Sequence, residues 1–171
     1  MRKILPLLLF LAVINSTQAS ASDYFPEPKL TTNDAARWNI GAGISMKLLH
    51  VNMEWVNPYG IAYTKLGAFL NNDHAFGAQV GIRYPIVLTG TDKNGYYLGA
   101  YAGHLKSKAY GRDDETQLGG GIDLAYVLLN QERISTFSVG IGAGEKVSVN
   151  GQTVIESKPA IQFAYTLSLG L

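Results

Sequence analysis

The sequence predicts an all-β chain, an eight-stranded antiparallel up-and-down transmembrane β-barrel. Three observations carry this expectation. Eight segments alternate apolar and non-apolar residues with period two, and turn signals separate them. The faces opposite the apolar rows are built of Gly, Ser, Asn and Gln with few charges, unlike the Lys, Glu and Thr of a water-facing sheet. No internal segment reaches the roughly 20 apolar residues of a transmembrane helix.

The chain of 171 residues starts with a pattern expected of an export signal. Arg2 and Lys3 give a positive start, Ile4 to Ile14 an apolar stretch, and Ala19-Ser20-Ala21 a small-x-small cleavage pattern. Residues 1–21 are read as a signal peptide and 22–36 as a periplasmic lead-in, or a tail folding against the barrel. Residues 37–171 are assigned to the barrel. Removing Arg2 and Lys3 from 14 basic residues leaves 12 against 13 acids, a net charge of −1. A near-neutral chain without a basic stripe is a poor nucleic-acid binder. With no cysteine there is no disulfide framework or thiolate metal site.

The first strand, near Arg37 to Met46, sets Trp38, Ile40, Ala42 and Ile44 against Asn39, Gly41, Gly43 and Ser45. The phase then flips: Leu49, Val51, Met53 and Trp55 oppose His50, Asn52 and Glu54. Such a flip marks a hairpin at Met46 to Leu48, although no Gly or Asn supports it. Asn57-Pro58-Tyr59-Gly60 is a stronger turn. The third strand spans about Ile61 to Leu70, and Asn71-Asn72-Asp73 ends it. The fourth sets Phe76, Ala78, Val80, Ile82 and Tyr84 against Gly77, Gln79, Gly81 and Arg83. The fifth runs from Tyr96 to about Lys106. The sixth opposes Leu118, Ile122, Leu124, Tyr126 and Leu128 to Gln117, Gly119, Gly121, Asp123 and Ala125. The seventh opposes Phe137, Val139 and Ile141 to Ser138, Gly140 and Gly142. Asn150-Gly151 is the tightest hairpin signal, between the seventh and eighth strands. The eighth sets Ile161, Phe163, Tyr165, Leu167 and Leu169 against Gln162, Thr166 and Ser168. Each strand is near the 9–11 residues, roughly, of a tilted membrane-crossing strand.

Eight strands enclose a bore just wide enough for side chains, so the large apolar rows are expected outside and the glycine-rich rows inside. Trp38, Trp55, Tyr84, Tyr126 and Phe137 fall in the apolar rows toward one end, as a periplasmic aromatic girdle would. The alternative is ordinary β-core aromatics in a soluble barrel.

The stretches FGAQVGIRY, NGYYLGAYAG, GGGIDLAYVLL and FSVGIGAG resemble a family of small bacterial outer-membrane barrels carrying a domain of unknown function (number 3575). That family sits among the OmpA- and OmpX-like barrels. The likeness covers roughly Leu49 to Gly144 and implies the fold and the bacterial outer membrane, not an activity. Such barrels tend to end on an aromatic residue read by the insertion machinery, whereas this chain ends on Leu171.

With apolar rows outside, Glu54, Arg83 and Asp123 point into the lumen. Lys65 joins them, because lipid exposure at mid-strand costs roughly 2–4 kcal/mol. Burying one charge alone is costly, so a compensated cluster is expected. Two acids against two bases favour a plug over a conduction path. His74 and His104, with Ser107, Asp113 and Asp114, are the residue types an outer-leaflet acyl transferase uses, and equally those of solvated loops. His50 is read as inward and hydrogen-bonded. No catalytic residue, cofactor or metal site is expected. The Gly runs lack the phosphate-loop pattern and a following helix. The stretches Lys106 to Thr116 and Glu145 to Lys158 are read as outer loops, either recognition surfaces or plain connections.

These features lead to a non-enzymatic outer-membrane protein with a structural or surface-interaction role. Its expected partners are outer-membrane lipids with lipopolysaccharide, and the barrel assembly machinery. The alternatives are a narrow pore, a lipid-modifying enzyme and a soluble periplasmic ligand-binding barrel.

Overall fold

Alternation with period two gives each strand one face of each character, and the chain hides one face by curling the sheet shut. The computed structural model describes residues 26–70, 75–89, 93–107, 115–145, 147–149, 152–155 and 159–171. Ten strands follow in order: β1 (Trp38–Ser45), β2 (Leu48–Asn57), β3 (Gly60–Phe69), β4 (Phe76–Leu88), β5 (Gly95–Ser107), β6 (Glu115–Leu129), β7 (Arg133–Gly144), β8 (Val147–Val149), β9 (Gln152–Ile155) and β10 (Ala160–Gly170). Eight of them close a barrel in the order β1-β10-β7-β6-β5-β4-β3-β2. Every neighbouring pair is antiparallel, so the architecture is a closed up-and-down barrel.

The remaining strands, β8 and β9, pair with each other as a separate two-stranded sheet between β7 and β10. The Asn150-Gly151 signal therefore lies between the strands of this extra hairpin and does not join two barrel strands. The two residues themselves fall outside the described residues.

Three short turns mark the strand ends. Met46 and Lys47 alone separate β1 from β2, and Ser45 pairs with Leu48. Met46 takes a φ of 53°, the left-handed conformation that tight hairpins usually assign to Gly or Asn. Pro58 and Tyr59 link β2 to β3, with the Tyr59 N–H donating to Asn57 Oδ1 (2.9 Å). Between β6 and β7, Asn130 Oδ1 accepts from the N–H groups of Glu132 (3.1 Å) and Arg133 (2.9 Å). The ladder between β4 and β5 slips between Pro85 and Val87. Proline has no N–H to donate, which suits a bulge there.

The strands are staggered. The line of partners from Trp38 runs through Trp55, Ala62, Ile82, Ala100, Ile122 and Ile141 to Ile161. Ala164 pairs with Ser45, so this line returns to β1 three residues beyond Ser45, which is ten residues beyond Trp38. Eight strands with that stagger tilt by roughly 40–45° to the barrel axis.

The outer surface is apolar. Phe76, Ile82 and Ile122 are 64%, 63% and 61% exposed. The inner rows hold Asn39, His50, Asn52, Gln79, Thr136, Ser138, Thr166 and Ser168, all buried.

At the Trp38 end the interior changes character. Leu30, Val56, Ile61, Tyr97, Ala125, Val127, Leu129 and Ile134 form a buried apolar cluster. Leu30 comes from the segment preceding β1, which folds across this end of the barrel. The N–H groups of Lys29 and Leu30 donate to Pro58 O (2.9 and 3.0 Å). The Tyr84 hydroxyl donates to Glu27 O (3.0 Å), and Lys29 Nζ sits 5.0 Å from the Tyr84 ring centroid. Residues of this segment thus lie against one end of the barrel.

Candidate functional site

Glu54, Lys65, Arg83 and Asp123 lie in the barrel interior, 1%, 3%, 2% and 5% exposed. They come from β2, β3, β4 and β6, each from the inward row of its strand. Arg83 Nη2 donates to Asp123 Oδ2 at 3.0 Å, and Ser138 Oγ lies 3.5 Å from the same nitrogen. This ion pair spans an intervening strand: Arg83 and Asp123 both pair in register with Gly99 of β5. A Cβ at Gly99 would collide with Asp123 Oδ1 and crowd Arg83 Cγ. The glycine is what lets the two side chains meet.

Tyr63 separates the two cations. Its ring centroid is 4.4 Å from Arg83 Cζ and 5.0 Å from Lys65 Nζ. The electron-rich ring attracts both cations. Gly81, its partner on β4, leaves room for the phenol, since a Cβ there would crowd Tyr63 Cζ and Oη.

Lys65 Nζ donates to Ser45 Oγ (2.9 Å), and Ser45 Oγ lies 3.0 Å from His50 Nε2. Glu54 hydrogen-bonds Ser168, whose Oγ also accepts from Asn52 Nδ2 (2.7 Å). The acids and bases thus balance within one network, but only Arg83 and Asp123 touch as an ion pair among these four. Glu54 is compensated through the Ser168 hydroxyl and the fields of Arg83 and Lys65, and Lys65 through the Ser45 hydroxyl and the fields of Asp123 and Glu54.

A Ser–His contact with an adjacent lysine is a nucleophile arrangement in other settings. Here the adjoining cavity, lined by Ser45, Tyr63, Lys65, Tyr101, Asp123 and Gln162 among others, measures about 20 Å³. That is room for a water molecule, not for an acyl chain or a sugar. Tyr101 Oη, Asp123 Oδ1 and Gln162 Nε2 have no protein partner and line that space, as water-bridged groups do. The chemistry available is charge compensation and hydrogen bonding.

The sequence reading named the four charges and His50 but missed Tyr63 as a spacer, Ser45 as a bridge and the apolar cluster at the Trp38 end. A signal for the last exists: Val56, Ile61, Leu129 and Ile134 occupy inward positions next to turns. The other histidine constellation does not assemble among the described residues. His104 is half-buried, its Nδ1 against the Ala78 backbone (3.2 Å to N). His74, Asp113 and Asp114 lie outside the described residues, as does the Ser107 side chain.

Trp38, Trp55, Tyr84, Tyr126 and Phe137 stand on the outer face, near one end of their strands. Trp38 and Trp55 pair in register and stack with centroids 6.1 Å apart. Tyr126 pairs with Phe137 and meets Tyr96 edge-on at 5.1 Å. Phe137 in turn pairs with Tyr165 of β10. Tyr84 is drawn to the end of the barrel by its bond to Glu27.

No protein-family model, curated protein or solved structure matches this chain.

Proposed function

We propose that this chain is a non-enzymatic β-barrel of the bacterial outer membrane with a structural or surface-interaction role in the cell envelope. One observation carries the reading: Glu54, Lys65, Arg83 and Asp123 are inside the barrel, while its outer face is a band of large apolar side chains. A soluble barrel that holds an apolar ligand has the opposite arrangement. Lipid satisfies an apolar belt, and barrel closure leaves no unpaired edge within it. Kinship with the small OmpA- and OmpX-like barrels is part of the same proposal. So are lipopolysaccharide as lipid environment and the barrel assembly machinery as insertion partner.

A balanced, hydrogen-bonded interior supports the structural role over the pore, because the polar cavity is about one water in size.

Membrane fractionation followed by gel electrophoresis with and without heating tests the reading. The expected outcome is outer-membrane partition and a faster-migrating unheated band. A soluble protein with no such shift would overturn it.

A further inference from the structure

A groove of about 410 Å³ opens on the outer face beside the β6–β7 turn. Its walls include Leu128, Leu167 and Tyr165, and its rim holds Asn94, Asn130 and Arg133. We infer that this groove binds one phospholipid, its phosphate at Arg133, its glycerol between Leu128 and Leu167, and an acyl chain running past Tyr165 toward Phe163. The inference rests on the membrane reading above and adds a specific ligand class to it.

The donors at the rim decide the ligand. Asn130 spends its Oδ1 on the backbone N–H groups of Glu132 and Arg133. Asn94 spends its Oδ1 on the Leu129 N–H (2.7 Å). Both amides are thereby oriented, and each has only its Nδ2 donors left for a ligand. With the guanidinium of Arg133, the rim offers donors of three residues and matches a phosphate. Arg133 opens β7 and is exposed, at the level where headgroups meet a barrel rim. Glu132 is the neighbouring acid, on the turn and outside the groove lining.

Farther up the strands the groove loses charge. Ser135 Oγ donates to Tyr165 Oη (3.3 Å), two hydroxyls in an otherwise apolar row. The Tyr165 proton is left to donate, and a glycerol ester carbonyl is the acceptor a lipid brings to that depth. Beyond this pair Val139 of β7 and Phe163 of β10 pair in register, both exposed and apolar. The order phosphate donors, hydroxyls, hydrocarbon follows the order of groups along a phospholipid.

Native mass spectrometry of barrels released from vesicles of phosphatidylethanolamine and phosphatidylglycerol tests this. The wild-type chain is expected to retain one phospholipid. Arg133→Gln loses one charge-assisted contact and is expected to retain it roughly tenfold less. Asn130→Asp keeps the oxygen that caps the turn and places an anion at the phosphate, so it is expected to behave likewise. Arg37→Gln, a charge change at the same end outside the groove, is expected to retain the lipid. Equal retention by all four proteins overturns the site, as does a bound mass equal to a second copy of the chain. Failure of the wild-type chain to float with the vesicles overturns the membrane reading itself, before any lipid is counted.

Discussion

Arg83 and Asp123 show how a single small residue sets the interior. Their strands are not neighbours, and the pair forms only across Gly99. Removing one partner leaves a buried uncompensated charge. Asp123→Asn is therefore expected to destabilise the barrel by about 3–5 kcal/mol, read from urea unfolding in vesicles by the fluorescence of Trp38 and Trp55. The double change Arg83→Met with Asp123→Leu removes both charges and is expected to cost less than either single change. Additive losses would show that the ion pair is not the relevant unit. Residue identity made these charges legible in sequence, because a charge within an alternating strand must face inward. Their partners were not legible, because pairing depends on stagger between strands distant in sequence.

Whole elements follow the same division. The eight barrel strands are legible because each carries its own alternation. The β1–β2 turn was visible only as a phase flip, since Met46 adopts the positive φ without being Gly or Asn. The extra hairpin of β8 and β9 was hidden, since a strong turn signal does not say which strands it joins. The segment before β1 has no period; Leu30 anchors it in the apolar cluster, with Ala35 packed against that cluster. Leu30→Ala is expected to cost roughly 2–3 kcal/mol, toward the low end for a buried leucine at an interface with a loop. Deletion of residues 22–36 exposes that end yet leaves Arg83, Tyr63 and Lys65 across the bore. Planar-bilayer recordings of the deletion variant are therefore expected to stay silent. A steady conductance would show that the segment, and not the charged network, closes the lumen.

At the scale of the whole molecule, the outer surface separates the two environments the barrel could occupy. Ile82 is central in β4 and 63% exposed. In lipid, Ile82→Arg is expected to cost about 2–4 kcal/mol. In water the same exposed change would move stability by no more than roughly 0.5 kcal/mol. Comparing unfolding midpoints of the two proteins in vesicles reads this directly, and a neutral substitution would contradict the lipid-facing assignment. The closed shape and inverted polarity were both legible from composition and period. The stagger of ten was not, because it is a sum of registers around the ring and no single strand contains it.

The pairing of β1 with β10 has a kinetic meaning. It joins Asn39 to Gly170, almost the full length of the barrel chain. Contacts that distant form late, because the chain's loop entropy is lost before they stabilise anything. Until they form, both terminal strands present open edges able to pair with another chain. Once they form, no strand can peel away without reopening the ring. The last ladder is therefore expected to act as a latch, closing late and holding the ring by the barrier to its reopening.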